Sequence, residues 1–186
     1  MKQLEGKVAI VTGASKGIAA SAGSPEDAAK FGEIVFVAIP FYSYQEVPVE
    51  PLKGKIVVDC GNYFFERDGN VPEIDSGKLT SSDVLAKHLS GSKVVRAFSS
   101  VISIDLVTAG SPEGTPKRRA LPIAGDDQAA KKVVASFISS LGFDTVDVGP
   151  LTDGRLFERD TPLFAAPFDK ESLKAALQKS MAGSKK

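Results

Sequence analysis

A glycine loop near the beginning of the sequence has the residue types and spacing of a phosphate-binding turn. The apolar run from Val8 to Val11 leads directly into a segment with Gly13 and Gly17 four positions apart. Gly13 permits a tight turn, Gly17 lets the backbone approach a pyrophosphate, and small Ala19 allows a helix to pack closely on the strand. Free amides at the start of that helix would hold the phosphates, although a purely structural turn is the alternative. The residues expected to bind the nucleotide here are Thr12, Gly13, Ser15, Lys16, Gly17 and Ile18.

Short apolar runs alternate with helical patterns along the chain, and these elements would position the loop. The runs are rich in Val and Ile and mostly bounded by Gly, Pro, Asp or Ser, which is typical of buried strands. They cover 8–11, 34–39, 56–59, 94–98, 121–124 and 145–148. Helical patterns cover 25–31, 81–89, 127–141 and 169–181. The alternation predicts an α/β fold: a Rossmann-type, doubly wound, mainly parallel sheet.

Residue types at the segment ends predict where the helices begin and end. Ser24 and Asp27 form a variant of the capping box, with proline at the first helical position. Ser81 and the two residues after it would open the next helix, and Asp127 the long one. Gly142 would close that long helix.

Several polar residues that could carry chemistry are better assigned to solvent-exposed positions. The basic run 117–119 lies in a loop rich in Gly and Pro, which favours a solvated loop over a phosphate site. Glu66, Asp68 and Asp75 lie in a turn-rich segment without metal-ligand spacing, so no metal site is expected. His88 stands beside a lysine on the expected wet face of a helix and has no second histidine with which to form a cluster.

Composition limits the class of protein. Lysine plus arginine and aspartate plus glutamate both number 23, so no overall field draws the chain to nucleic acid or to an anionic membrane. Residues 1–7 lack an apolar signal core, and no run reaches the roughly 18 apolar residues of a membrane helix. Cys60 is the one cysteine, which excludes an internal disulfide and favours a small buried hydrophobe over a catalytic thiol. These features predict a cytoplasmic protein with a small-molecule partner.

The opening from Gly6 to Ile18 resembles the start of short-chain dehydrogenases/reductases. The resemblance covers about the first 19 residues. That family uses a Tyr with a Lys four positions later, because the lysine lowers the pKa of the phenol. In this chain Tyr42, Tyr44 and Tyr63 are followed at that spacing by Glu46, Pro48 and Arg67. The short-chain active site, and with it a short-chain alcohol dehydrogenase activity, is therefore not expected.

From about residue 22 onward, the chain resembles the dinucleotide-binding reductases related to the deazaflavin (coenzyme F420)-dependent NADP oxidoreductases. The resemblance rests on an ordered series of strands and strand ends, which lie at 33–40, 55–59 with 61–63, 66–69 with 72–73, 94–98, 121–127, and 141–144 with 147–151. It implies that the end of one strand and the asparagine after the next line the cofactor crevice. The residues that take these roles by resemblance are Ala38, Ile39, Pro40 and Asn62; strand-end packing is the alternative for the first three.

Aromatic residues follow two of the strands that carry this resemblance. They could line a flavin or deazaflavin site, or close the core and a dimer interface, and the sequence leaves both open. They are Phe41, Tyr42, Tyr44, Tyr63, Phe64 and Phe65.

Two departures from the family bear on the cofactor. Relatives commonly carry Asn after a Phe such as Phe98, whereas this chain has Ser99 and Ser100. A first βαβ unit takes about 30 residues and places an acidic or basic residue about 20 residues past the glycines. Between Gly17 and Ile34 there is space for one helical stretch and no strand, so the first unit is abbreviated. The sequence therefore suggests a chimera or deletion product.

The sequence as a whole predicts a single NAD(P)-binding domain over residues 1–186, with a head (1–21), a reductase body (22–168) and a C-terminal helix and tail (169–186). By resemblance its activity is hydride transfer between NADP, or NAD, and a second redox carrier such as a deazaflavin or flavin. The alternative is a non-catalytic nucleotide-binding or engineered folding scaffold. An apolar edge strand at 8–11 predicts a homodimer. The catalytic residues, if any, are not identified from the sequence.

Overall fold

The computed structural model describes residues 8–12 and 23–183, which form a six-stranded sheet flanked by helices. The strands are β1 (Val8–Thr12), β2 (Ile34–Ala38), β3 (Ile56–Asp59), β4 (Lys93–Arg96), β5 (Ala120–Gly125) and β6 (Asp144–Gly149). The helices are α1 (Pro25–Phe31), α2 (Phe65–Asp68), α3 (Pro72–Asp75), α4 (Ser81–His88), α5 (Ser103–Thr108), α6 (Gln128–Ser140) and α7 (Lys170–Gly183). Three 3-10 helices cover Phe41–Glu46, Glu50–Leu52 and Leu151–Phe157.

The order of strands in the sheet follows their order in the chain, from β1 at one edge to β6 at the other. Neighbours from β1 to β4 are parallel, β4 and β5 are antiparallel, and β5 and β6 are parallel. The predicted α/β class and mainly parallel sheet are therefore confirmed. Residues 23–33 contain α1 and no strand, and β1 pairs directly with β2, as the abbreviated first unit requires.

Helices cover both faces of the sheet because the strand direction reverses between β4 and β5. Connections between parallel strands are right-handed, so successive crossovers in one direction place their helices on one face. Ala29 of α1 and Leu85 of α4 pack together in one core cluster on that face. After the reversal the same handedness places α6 on the opposite face, where Val134 and Ile138 pack against Phe36. Leu173 of α7 returns to the first face, in a cluster with Ala124.

The helices begin at the predicted capping residues, except that the cap of α4 lies one residue earlier than predicted. The Asp27 amide donates to Ser24 Oγ at 3.1 Å, and the two residues form a reciprocal capping box. Asp127 caps α6 through the amide of Ala130. The cap of α4 is Thr80 rather than Ser81, because Thr80 Oγ1 accepts from the amide of Asp83 and Asp83 returns a bond to the Thr80 backbone.

Three short helices, α2, α3 and α5, lie where the sequence predicted turns or no element. The turn expected at Asp68 and Gly69 is the end of α2, and Gly69 adopts a φ of 77° there. Helices of four to six residues have too few positions to show a period in the sequence. Their presence depends on tertiary contacts.

The loop expected to be wholly solvated contains a buried guanidinium. Arg118 is 4% exposed, and its NH1 donates to Asp144 Oδ1 at 2.8 Å. Its Nε contacts the carbonyl oxygens of Ser111 and Gly142, so this side chain fixes the loop onto the end of α6. Arg119 pairs with Asp105. The sequence expectation for this basic run was wrong because the partners of both arginines are distant in the chain.

Within residues 8–12 and 23–183 no helix has the length and apolar character needed to cross a bilayer.

Candidate functional site

The carboxyl ends of β1 to β4 lie at one edge of the sheet because these four strands are parallel. Thr12, the last residue of β1, is in register with Ala38 at the end of β2. Val37 is in register with Asp59, and Asp59 with Arg96. Open α/β sheets bind ligands in the crevice outside such strand ends. The segments that follow β2, β3 and β4 therefore form the described walls of the candidate site.

The pairing of β1 with β2 brings together Thr12 and Ala38, two of the residues predicted to bind the cofactor. Ala38 is exposed at the strand end, and its side chain is a single methyl group. Ile39 is half-buried and packs against the core, while Pro40 precedes the 3-10 helix Phe41–Glu46. Of these three residues, Ala38 is the one that is exposed at the strand end. The other predicted loop residues lie outside the described residues; they are Gly13, Ser15, Lys16, Gly17 and Ile18.

Asn62 joins the segments that follow β3 and β4. Its Nδ2 donates to the carbonyl oxygen of Ser99 at 2.9 Å. Its Oδ1 accepts from NH2 of Arg96 at 3.0 Å. An amide can make four hydrogen bonds, so these two leave one N–H and one lone pair of Asn62 for other partners.

A buried carboxylate lies immediately behind this segment. Asp59 is fully buried, and its Oδ1 accepts from the hydroxyl of Tyr44 at 2.6 Å and from the amide of Gly61 at 3.0 Å. Its Oδ2 accepts from Ser82 Oγ at 2.6 Å. Burial, together with the negative charge of Asp59, raises the pKa of Tyr44 well above its usual value of 10.0. Tyr44 therefore remains a hydrogen-bond donor to Asp59 at any physiological pH.

Arg96 is the cation paired with this carboxylate. NH1 of Arg96 lies 3.6 Å from Asp59 Oδ2, and both side chains are fully buried. NH2 lies 3.8 Å from Oε1 of Glu158, which also accepts from the amide and hydroxyl of Ser81. The guanidinium stands over the ring of Phe157, 5.5 Å from its centroid.

Sequence reasoning assigned no role to Asp59 or Arg96. A signal was present, because each is a charged residue inside an otherwise apolar strand pattern, and such residues are seldom buried without a partner. The pairing itself depends on the register of β3 and β4, which brings together Asp59 and Arg96, 37 positions apart in the chain.

The end of β4 has a strained backbone and a polar atom without a partner. Phe98 adopts a φ of 63°, a left-handed conformation that is unfavourable for a bulky residue. The next residue, Ser99, is 5% exposed, and its Oγ has no hydrogen-bond partner among the described residues. Strain and unsatisfied polar atoms concentrate at ligand sites. Together with the small, exposed Ala38, these features fit the dinucleotide implied by the resemblance.

The aromatic residues after β2 and β3 divide between the core and the surface. Phe41 and Tyr44 are buried, and Phe41 packs edge-on against Tyr63 with 5.4 Å between ring centroids. Tyr42 and Phe65 are exposed. The Phe64 ring has Cζ of Arg67 and Cζ of Arg159 each 4.8 Å from its centroid. The buried members of this group therefore close the core.

A cleft of about 230 Å³ opens beside Asn62. Glu66 and Asp160 on its wall both pair with Arg159, which lowers the pKa of Glu66 through hydrogen bonding. The lining has four carboxylates and one guanidinium among the residues Asn62, Tyr63, Phe65, Glu66, Asp75, Glu158, Arg159 and Asp160.

Three further residues considered in the sequence, Cys60, His88 and Asp68, are half-buried. Cys60 is half-buried against the core, and burial followed by the nearby Asp59 charge raises the pKa of its thiol far above the usual 9.0. His88 is half-buried rather than a free surface residue, because its Nε2 lies 2.7 Å from the carbonyl oxygen of Val47 in a segment that folds over α4. Asp68, expected in solvent, has a buried side chain paired with Arg67. In the described part of the chain, no group of three or more potential ligands could hold a metal ion.

Comparison with known proteins places this architecture in a family. Residues 5–63 match the family described as NADP oxidoreductase, coenzyme F420-dependent. A hypothetical protein from Sinorhizobium meliloti is 30% identical with a TM-score of 0.66, over 78% of this chain and 70% of that one. A protein described as an F420-dependent NADP reductase from Arthrobacter sp. FB24 is 26% identical with a TM-score of 0.60, over 72% and 62% of the two chains. An imine reductase from Streptomyces aurantiacus, 17% identical over 72% and 42% with a TM-score of 0.50, shares the fold.

A mainly parallel α/β sheet with a crevice at its strand ends is the architecture of Rossmann-type proteins. The chain belongs to the dinucleotide-binding reductase family that is related to the F420-dependent NADP oxidoreductases. The family is one of NADP-dependent oxidoreductases, and its cofactor is a nicotinamide dinucleotide. Family membership confirms the resemblance to these reductases that was seen from about residue 22 onward, whereas the short-chain resemblance of the first 19 residues and the chimera stay predictions. The chain spans 62% of the length of the Arthrobacter protein.

Proposed function

We propose that the chain is an NADP(H)-dependent oxidoreductase that transfers hydride between nicotinamide and a second redox carrier, a flavin or deazaflavin, in the cytoplasm. The observation that carries the proposal is the convergence of four parallel strand ends, with Thr12 beside Ala38, in a chain of this family. The glycine loop that starts at Gly13 would hold the pyrophosphate, and Ala38 would leave room for it. Asn62 would bind through the N–H and lone pair that its internal bonds leave available.

The cofactor supplies the hydride chemistry, so the protein has to bind, orient and exclude water. No acid/base dyad is needed for this role. Asp59 and Tyr44 are bonded to each other and buried, which assigns them to support of the strand ends.

We further propose that the cleft beside Asn62 receives the second carrier. Its lining carries four carboxylates against one guanidinium. A phosphate-bearing carrier would be repelled there, so a neutral acceptor such as riboflavin should be reduced faster than an anionic deazaflavin or flavin mononucleotide.

A second candidate function is a nucleotide-binding scaffold without turnover. It is favoured by the pairing of β1 directly with β2, whose end carries Ala38 where a full first unit would supply a charged residue for the adenosine ribose. Such a protein would bind nucleotide weakly and catalyse nothing.

Two measurements separate these candidates. Calorimetry with NADP and NAD tests binding, and the loss of NADPH absorbance in the near ultraviolet with riboflavin, flavin mononucleotide, ferric chelates and the deazaflavin tests turnover. Binding with turnover supports the oxidoreductase, and binding with no turnover on any acceptor supports the scaffold. Absence of binding contradicts both.

Gly17→Val is the matching variant for the loop, because a branched Cβ would occupy the space the pyrophosphate needs. Gly23→Val is its control, since a Cβ on Gly23 meets Asp27 at ordinary contact distances. We expect at least about tenfold weaker binding in the first variant and unchanged binding in the second. Equal affinity in a folded Gly17→Val protein would remove the loop from the site.

A further inference from the structure

Arg96 makes more directional contacts than a counter-ion for Asp59 requires. Its NH1 donates to Ser82 Oγ and Ser81 Oγ, both at 3.0 Å, and lies 3.3 Å from the carbonyl oxygen of Gly61. Its Nε is buried without a partner among the described residues. Buried ion pairs are often no more stabilising than apolar replacements. The arrangement therefore favours a role in geometry over a role in stability.

The contacts of Arg96 lead towards the crevice. NH2 of Arg96 donates to Oδ1 of Asn62 at 3.0 Å, and Nδ2 of Asn62 donates to the Ser99 carbonyl at 2.9 Å. This relay connects the segment after β3 with the segment after β4. Ser99 at its far end is the residue whose hydroxyl has no described partner.

The relay also fixes which way the Asn62 amide points. A guanidinium only donates and a carbonyl oxygen only accepts. Rotating the amide by half a turn would set NH2 against Arg96 and oxygen against the Ser99 carbonyl, so both bonds would be lost. With one orientation enforced, the remaining N–H and lone pair of Asn62 are presented in a constant direction.

We infer that Arg96 is a positioning residue, which orients the Asn62 amide and holds the segments after β3 and β4 in the geometry that the nucleotide needs. The link to nucleotide binding rests on the proposed function, whereas the orientation of Asn62 does not. Asp59 and Glu158 are the charged groups that face Arg96 and fix the guanidinium in turn.

Lysine cannot replace arginine in this role, because a single ammonium lacks the planar fork that reaches Gly61, two serines and Asn62 together. Arg96→Lys keeps the charge opposite Asp59 and removes the donor to Asn62. Ser82→Ala is the matched control: it removes one partner of Arg96 and one of Asp59 but leaves the Asn62 bonds in place.

The first readout is the side-chain N–H of Asn62 that donates to the Ser99 carbonyl, observed in a proton–nitrogen NMR spectrum and assigned by its loss in Asn62→Ala. We expect slow hydrogen exchange in the parent protein, exchange about tenfold or more faster in Arg96→Lys, and a change under about threefold in Ser82→Ala. Unchanged exchange in a folded Arg96→Lys protein overturns the inference. Acceleration in both variants to the same extent overturns it too, since that would be general loosening.

The second readout is NADP affinity by calorimetry, where Arg96→Lys should lose about tenfold and Ser82→Ala less than about threefold. If the parent protein binds no nucleotide while the Asn62 amide still responds to Arg96→Lys, the positioning role stands and the proposed function fails. If Arg96→Lys does not fold, Asn62→Ala decides: the Arg96 NH2 protons should lose their protection while the protein stays folded. Retained protection would overturn the inference.

Discussion

Asp59 and Arg96 occupy facing positions on β3 and β4, with 3.6 Å between Oδ2 and NH1 and neither side chain exposed to solvent. Each is the nearest compensation for the other's buried charge. The contribution of this ion pair to the free energy of unfolding can be measured without any ligand.

Asp59→Asn should destabilise the protein strongly, because it keeps the shape and leaves Arg96 with its charge less compensated. Loss of one partner of a buried pair typically costs about 3 to 5 kcal/mol. Denaturant unfolding of Asp59→Asn would measure the loss of stability. The control is Glu113→Gln, which changes an exposed carboxylate in the 110–119 loop and should alter stability by less than about 0.5 kcal/mol. A loss below about 1 kcal/mol for Asp59→Asn would contradict the buried-pair account.

Gly61→Ala should destabilise because an added Cβ collides with the hydroxyl of Tyr44. The cost should exceed about 1 kcal/mol, the usual scale for overpacking a core. In a Tyr44→Phe background the colliding oxygen is absent, so the added cost of Gly61→Ala should be smaller. The rescue is incomplete, since the Cβ also lies 3.3 Å from the Ile39 carbonyl oxygen. A double-mutant cycle over both residues measures the coupling, and strict additivity would refute the contact.

Cys60 should resist alkylation in the native protein at pH 8. Burial, then the charge of Asp59, raises the pKa of its thiol, so the reactive thiolate is depleted. Iodoacetamide should modify native Cys60 more than about 100-fold more slowly than the unfolded chain, since each unit of pKa is a factor of about ten in thiolate. Mass spectrometry of timed samples gives both rates.

The raised pKa of Cys60 also predicts how the stability of the protein changes with pH. The folded-state pKa of Cys60 lies above its unfolded value, so its contribution is fully present below the unfolded pKa and is lost as pH rises towards the folded one. Unfolding free energy should therefore fall above about pH 9, and Cys60→Ala should show a shallower decline. An equal decline in both proteins would locate the effect elsewhere.

NAD and NADP should bind within about tenfold of each other, and both weakly. Discrimination requires a charged residue at the end of the strand after the glycine loop, whereas β2 ends at Ala38 and is followed by Ile39 and Pro40. A chance contact between an exposed lysine and the 2′-phosphate contributes only about 0 to 1 kcal/mol. A tenfold difference in affinity needs about 1.4 kcal/mol. Parallel calorimetric titrations test this. A much larger preference for NADP would mean that another part of the chain supplies a 2′-phosphate site.

The protein should form a dimer through β1. Among the described strands β1 pairs with β2 alone, so one row of its backbone groups has no described strand partner, and its sequence is mainly apolar. Apolar edge strands pair with other chains unless they are protected. Light scattering across the micromolar range should give the mass of a dimer, and a monomeric mass throughout would exclude this interface.

Much of the fold could be predicted from the sequence, because its main signals are local. Runs such as Ile34–Ala38 and caps such as Ser24 depend on neighbouring residues only, and they fall within a few positions of the observed elements. The supporting side of the site could not be predicted. The register of β3 and β4 brings Arg96 to Asp59, and the 3-10 helix Phe41–Glu46 brings Tyr44 to Asp59. No periodic pattern in the sequence indicates that 3-10 helix. Arg118 was misassigned for the same reason, since its partner Asp144 is distant in the chain.

A strand order that follows the chain order has a consequence for how the molecule assembles. Each strand pairs with the strand that precedes it in the chain, so no strand has to be inserted between two that are already paired. Among the described residues, β1, the strand that leads into the glycine loop, pairs with another strand along one side only. Detachment of β1 would leave the pairs from β2 to β6 in place, so this edge of the sheet is expected to open before the rest.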